Sequence, residues 1–224
     1  MKTKEESVAR TRVRFTGPAA LLAFGLAWPG CASKGPEQIE SAVESMRTMR
    51  ASLGQSRNQI GTTVTALNTM VREPQPDLKP QYARFGEQLD LLDSQGQAIQ
   101  KRASSMRQKR DAYLAAWDKE LASVQSPDLK EKGQERREEV RKTVTKMEEA
   151  TGKTREDYDA LMRDLKDIRK YLSLDLNPTG LDSVKRQAQS ATEKSEKVQK
   201  MLDDLIAQLD DLANRLAPSK RMGG

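Results

Sequence analysis

Four stretches of this 224-residue chain repeat apolar residues at alternating spacings of three and four, and no strand-like alternation competes with them. That periodicity restricts the chain to long amphipathic helices, each burying one seam. The last stripe is the most regular: Leu181, Val184, Ala188, Ala191, Ser195, Val198, Leu202, Leu205, Leu209, Leu212 and Leu216. The first runs Ile39, Val43, Met46, Arg50, Leu53, Arg57, Ile60, Val64, Leu67 and Val71, apolar at eight of ten positions. Between them lie a second stripe, from Tyr82 and Phe85 through Leu89, Leu92, Gly96, Ile99, Ala103, Met106, Arg110, Tyr113 and Trp117 to Leu121 and Val124, and a third, from Val140, Val144 and Met147 through Thr151, Thr154, Tyr158, Leu161, Leu165 and Ile168 to Leu172.

The breaks between stripes are chemically marked. EPQPDLKP, residues 73–80, holds three prolines, which remove backbone donors and push the residues before them out of helical geometry. Ser126-Pro127-Asp128 reads as a helix start: Ser as N-cap, Pro at the first helical position, an acid near the positive end of the helix dipole. Asn177-Pro178 ends the third helix, and Thr179 with Asp182 reads as a capping-box-like restart. Short connections between heptad-patterned helices predict an all-α fold, an elongated antiparallel four-helix bundle or coiled coil over residues 36–217, followed by a frayed tail at 218–224. The middle helices come to about 70 Å and the outer two to about 55 Å, so the hairpin of the second and third helices protrudes. Residues 128–139 contain a single apolar residue, Leu129, as expected where only two helices pack.

One oily run stands apart. From Phe15 to Trp28 there are about fourteen residues before Pro29 and Gly30, too few for a bilayer-spanning helix, which needs about twenty. Lys2, Lys4, Arg10, Arg12 and Arg14 precede it against Glu5 and Glu6, the pattern of a secretory leader at residues 1–30. Gly30-Cys31-Ala32-Ser33 resembles the lipobox of bacterial lipoproteins, with Cys31, the chain's sole cysteine, as the lipidated new N-terminus and residues 31–35 as a short linker. Trp28 and Pro29 stand where lipoboxes usually carry Leu and then Ala or Ser. Ordinary cleavage at a small-x-small site, giving a soluble exported protein, is the alternative.

Without residues 1–30 the formal charge falls from +6 to +3, with 34 basic and 31 acidic side chains left. A near-balanced chain lacks the concentrated basic face that nucleic-acid binding requires. The apolar fraction of 36%, against about 45–50% in ordinary globular domains, argues against a thick core. For Met46, Met106, Met147 and the aromatics, packing is the expected role rather than a cofactor site. The chain has no histidine, hence no histidine base or ligand. Gly152-Lys153-Thr154 lacks the glycine that a phosphate-binding loop needs five residues earlier, where Met147 stands, and it lies inside a helical stripe. Asp203, Asp204, Asp210 and Asp211 form a solvated flank beside the leucine seam rather than a converging cation loop. KEKGQERREE, residues 130–139, reads as an exposed, salt-bridged helix surface. No cofactor or metal is implied, and no enzyme activity is indicated.

Two segments resemble a known family, the bacterial lipoproteins classed as domain of unknown function 2959. In YLAAWDKELASVQSPDLKE, residues 113–131, Trp117, Glu120, Leu121 and Leu129 match the family's Trp-x-x-Glu-Leu and the Leu that follows. In LKDIRKYLSLDLNPTGLDSV, residues 165–184, Asp167, Tyr171, Leu172, Leu176 and Asn177 fall on its Asp, its Leu-Tyr-Leu-like run and its Asn-Leu-Asn segment, with Ser173-Leu174-Asp175 in place of the usual Lys-His-Asn. The resemblance spans about residues 40–212 and implies a lipoprotein helical bundle with no established activity and no catalytic residues to carry over.

The expectation is therefore a noncatalytic envelope lipoprotein acting as a scaffold or adaptor. Its partners would be a membrane, held through the lipid anchor, and other envelope proteins, with no nucleic acid. Ala32 after the cysteine points to the periplasmic face of the outer membrane, with a soluble periplasmic protein as the alternative. A second class of reading is a holdase or lipid-handling module that opens its apolar seam to clients. The hairpin tip, with Ser126, Lys130, Lys132, Arg136 and Arg137, is expected at the lipid head groups, at the same end as Cys31, and the proline-rich connection away from them.

Overall fold

The computed structural model describes residues 34–216. Four helices make up nearly all of that span: α1 (Lys34–Arg72), α2 (Lys79–Ser123), α3 (Pro127–Leu174) and α4 (Pro178–Leu216). No strand occurs among the described residues. The leader at 1–30, Cys31 and the tail at 218–224 lie outside them, and α1 takes in Lys34 and Gly35, two residues assigned above to a linker.

α1 packs against α2 and α4, and α3 against α2 and α4, whereas the diagonal pairs do not approach one another. The helices thus form a four-cornered antiparallel ring. Lengths of 39 and 39 residues for α1 and α4, and of 45 and 48 for α2 and α3, correspond to about 58 Å and about 70 Å at 1.5 Å per residue. The start of α1, the end of α4 and the α2–α3 turn share one end of the bundle.

Every position of the α4 stripe from Leu181 to Leu212 is buried. On α1, Val43, Leu53, Ile60, Val64, Leu67 and Val71 are buried as the spacing requires, and a second row joins them: Met49, Ser56, Thr63 and Met70, seven residues apart. α1 faces two neighbours, so it buries two rows. Thr63 and the neighbouring buried Gln59 bring their own partners. Thr63 Oγ1 donates to the Gln59 carbonyl at 2.8 Å, and Gln59 Nε2 donates to Gln88 Oε1 on α2 at 2.8 Å. A buried hydroxyl bonded to the preceding turn is already satisfied and can sit in a seam without a large penalty.

Burial is uneven along the axis. Ile60, Leu67, Phe85, Leu92, Leu161, Leu165, Leu172, Ala191 and Val198 are fully enclosed near the proline-rich end. Toward the hairpin tip, α2 has no buried residue after Gly96 and α3 none before Thr154. The stripe there is only half-buried, including Met106 and Met147, which still pack against the core.

The connections are built from few side chains. Between α1 and α2, Gln81 clamps the loop: its Oε1 accepts from the Gln75 N–H and its Nε2 donates to the Glu73 carbonyl, both at 3.0 Å. Leu78 plugs the core below. Between α2 and α3, Ser126 is the N-cap, its Oγ accepting from the Leu129 N–H at 3.4 Å, with Pro127 at the first helical position. Between α3 and α4 the restart differs from the capping box expected at Thr179. Asn177 is the cap: its Oδ1 accepts from the Gly180 N–H at 2.9 Å and its carbonyl from the Leu181 N–H at 3.0 Å. Pro178 then opens α4, repeating the logic of Ser126-Pro127.

Two substitution pairs test this arrangement. Leu205 is buried and Asp204 exposed one residue before it. Leu205→Ala is expected to cost about 2–4 kcal/mol and Asp204→Ala no more than about 0.5 kcal/mol, read from urea melts; equal losses would place the seam on the wrong face. Asn177→Ala is expected to cost about 1 kcal/mol, with Thr179→Ala clearly less.

Candidate functional surfaces

At the hairpin tip Leu121 of α2 lies over Gly133 of α3, its Cδ1 2.4 Å from where a Cβ on residue 133 would be. Glycine leaves that space to the Leu121 side chain, which would have to turn aside for any larger residue. Below the turn, Tyr113 and Trp117 meet edge to face, their centroids 5.7 Å apart, and burial pushes the Tyr113 phenol above its ordinary range. Leu129 is 59% exposed.

The fold brings the five expected tip residues together at this end and commits most of them internally. Ser126 spends its hydroxyl on the cap. Lys132 pairs with Asp128 at 3.1 Å, Arg136 with Glu139 at 2.9 Å, and Arg137 reaches across the hairpin to Asp118 at 2.6 Å. Arg141 holds Glu138 at 2.7 Å, and its hydrogen bond keeps that carboxyl below the usual range. Of the four tip cations only Lys130 has no carboxylate within ion-pair distance among the described residues. The expected salt-bridged surface is present, and its consequence is a tip with little free charge.

The other chemical candidates resolve into structure. Gly152-Lys153-Thr154 lies inside α3, with Thr154 buried and its hydroxyl donating to the Ala150 carbonyl at 2.8 Å. Asp203 and Asp210 accept from Arg57 at 2.9 Å and Arg50 at 2.7 Å, and Asp211 pairs with Arg215 at 2.9 Å. The two charges that interrupt the α1 stripe, seven residues apart, thus meet two aspartates seven residues apart on α4. No group of three or more metal-ligating side chains converges among the described residues.

A shallow groove of about 260 Å³ between α2 and α3 is lined by Asp93, Gly96, Tyr158, Asp159, Arg163 and Lys166. Gly96 makes room for Tyr158: a Cβ there would lie 2.6 Å from the phenol oxygen. Tyr158 Oη donates to the Leu92 carbonyl at 2.9 Å, and burial drives its pKa far above the ordinary value, with Asp93 and Asp159 adding to the shift. Lys166 is paired with Asp93 at 2.8 Å. Arg169, on the turn after, holds Asp90 at 2.6 Å, and that bond raises the guanidinium pKa. The phenol is a fixed donor bridging two helices; no activated nucleophile faces the groove.

A run of unpaired charge that no motif marks lies on α2. KRASSMRQKR, residues 101–110 of α2, carries five cations and no acid. Lys101, Arg102, Arg107 and Lys109 are exposed and make no ion pair among the described residues. Lys109 Nζ donates instead to Ser45 Oγ of α1 at 3.1 Å, and Arg107 to Ser104 Oγ at 3.2 Å. The signal was available as a run of like charge, and a chain-wide charge balance averaged it away.

The family model described as Protein of unknown function (DUF2959) matches residues 31–216. No curated protein and no solved structure matches the chain. No helix among the described residues is long and apolar enough to cross a membrane.

Tyr158 gives a test of the inter-helix bridge. Because its folded pKa is raised above the unfolded value of about 10, its contribution is complete below that pH. It is lost as pH rises further, since the unfolded chain then releases a proton that the folded chain retains. Tyr158→Phe is expected to cost about 1 kcal/mol at neutral pH and to flatten the fall in stability between about pH 9 and about pH 11, measured by urea melts at each pH.

Proposed function

The chain belongs to the DUF2959 family, and we propose that it is a noncatalytic lipoprotein of the bacterial cell envelope, tethered through Cys31, whose helical rod acts as a scaffold or adaptor for other envelope proteins. The observation that carries this reading is the meeting of three features at one place: the basic-then-apolar leader ends at Cys31, the family match begins at Cys31, and α1 begins three residues later at Lys34. Three residues span at most about 11 Å. An acyl group on Cys31 would therefore hold the bundle by the end that carries the α2–α3 turn. In this reading Ser126, Lys130, Lys132, Arg136 and Arg137 face the head groups, and the Gln81-clamped proline-rich connection points away toward partners. Ala32 favours the periplasmic face of the outer membrane, as in the sorting rule that well-studied lipoproteins follow.

The ion pairs along the helix flanks support a structural role. Ionisable side chains of neighbouring helices are spent on each other, as in Arg50–Asp210, Arg57–Asp203, Lys194–Asp164 and Lys197–Asp157. A second reading, a holdase or lipid-handling module, is favoured by one feature: the half-buried stripe from Ile99 to Val124 on α2, facing Val140, Val144 and Met147 on α3, is the part of the seam least enclosed by the bundle.

Replacing Cys31 by Ser is expected to abolish labelling by a radioactive fatty acid and to release the chain from the membrane fraction; persistent labelling would falsify the anchor. Photo-crosslinking from residue 75 in intact cells is expected to capture discrete envelope proteins. Suppression of a client's aggregation at stoichiometric ratio would favour the holdase instead.

A further inference from the structure

Between Glu44 and Glu73 α1 contains no Asp or Glu, and between Asp93 and Asp111 α2 contains none. The fold sets the start of the first stretch beside the end of the second, as the Ser45–Lys109 hydrogen bond shows, and the Gln59–Gln88 bond fixes the same antiparallel register one step before the second stretch begins. Of the cations they carry, Arg50 and Arg57 turn to α4, Arg110 pairs with Asp111 and Glu148, Arg107 donates to Ser104 of its own helix, and Arg47 and Arg72 of α1 make no ion pair among the described residues. α1 offers the shared rim only neutral donors and acceptors, Ser45, Ser52 and Gln59 among them. Lys101, Arg102 and Lys109 are left exposed on α2 with no ion pair among the described residues. Arg102 and Lys109 are seven residues apart and so share a face, with the small exposed residues Ala98, Ser105 and Ala112 in a row alongside.

We infer that this outer face of α2, centred on Lys101, Arg102 and Lys109, docks onto a membrane surface bearing anionic phospholipid head groups, so that the rod lies along the surface on its α2 edge. The inference rests on the reading that the protein works at a membrane, and it adds a side to the end fixed by the anchor. Long cationic side chains around small ones suit a broad, flat array of phosphates, because the helix can approach closely and each ammonium or guanidinium reaches its own head group. The row has no aromatic side chain on which an unpaired nucleobase could stack. The tip substitutes poorly for this face, because three of its four cations already hold carboxylates. Attraction of this kind acts within about one Debye length, about 10 Å at 0.1 M salt, so only the face turned to the membrane contributes.

The test uses the full chain carrying Cys31→Ser, in which the acyl group is removed and the leader contributes equally to every variant. Vesicles of phosphatidylcholine containing about a third phosphatidylglycerol serve as the probe. Combined Lys101→Gln, Arg102→Gln and Lys109→Gln is expected to weaken flotation with these vesicles about a hundredfold, at about fivefold per basic residue near an anionic surface. The three positions are exposed, so helix content and melting should not change. Combined Lys132→Gln, Arg136→Gln and Arg137→Gln at the tip should weaken it less than tenfold; an equal loss would overturn the assignment to α2.

Because Cys31 is the sole cysteine, a single dye can also be placed by Ser105→Cys, Gln134→Cys or Asp204→Cys in the same background. On anionic vesicles the dye at 105 should become shielded from a water-soluble quencher while the dye at 204 stays open. Shielding at 134 without 105, equal shielding at 105 on pure phosphatidylcholine, or stronger shielding at 105 by soluble polyphosphate would each overturn the proposal. Absence of acyl labelling on the chain that retains Cys31, with shielding at 105 intact, would remove the anchor alone, and labelling of that chain without the shielding would remove the docking face alone.

Discussion

The register between α1 and α4 is the constraint on which the rest of the bundle hangs. Arg50 meets Asp210, Arg57 meets Asp203 and Asn68 meets Thr192, partners that step along the two helices in opposite directions without slippage. Surface ion pairs of this kind contribute little each, and these are exposed to about half their area. Their value is in selecting one alignment of two leucine-rich seams that would otherwise pack almost as well one heptad away. The hydrophobic burial of Leu202, Leu205 and Leu209 against α1 supplies the stability; the charges decide which residues face one another.

Once that pair is set, α2 and α3 must close the ring from the other side, and they do so unequally. Near the proline-rich end Phe85, Leu89 and Leu92 meet Leu161, Leu165 and Leu172 in a fully enclosed core. Farther along, the two helices are bridged by long side chains: Tyr158 to Leu92, Arg110 to Glu148, and Arg137 to Asp118. α2–α3 is the sparsest of the four interfaces although it joins the two longest helices. Local opening begins where few apolar groups are buried and backbone hydrogen bonds face solvent, which places it in the half of this hairpin nearer the tip.

Much of this was legible in the residues. The four stripes, the proline break at 73–80 and the Ser126 cap follow from spacing and from the stereochemistry of Ser, Pro and Asp, and each appears where expected. The second buried row of α1 was not legible, because Ser56 and Thr63 interrupt Met49 and Met70 and a count of apolar residues skips them. What makes Thr63 buriable is a hydrogen bond within the helix, which periodicity does not register. The Asn177 cap was obscured by a competing signal two residues on. Thr179 and Asp182 have the right spacing for a capping box, but Pro178 suits the first helical position, and that puts the cap at Asn177.

The candidate surface was hidden for a different reason: a net charge near balance says nothing about where the charges are. The pairing of α1 with α4 consumes Arg50 and Arg57 on one flank and leaves α1 uncharged on the flank toward α2. Lys109 consequently meets Ser45, five residues before Arg50, and finds a hydroxyl where a carboxylate would have neutralised it. At the neighbouring turns of α4, on the diagonal corner, three of four aspartates already have cations. The bundle is thus polarised across its width at one level, with compensated acid on one corner and uncompensated base on the other. Folding alone gives no reason for that asymmetry, since exchanging Arg102 or Lys109 for a carboxylate facing α1 would leave the buried seam untouched. Under the proposed docking, an anionic surface outside the molecule supplies the reason.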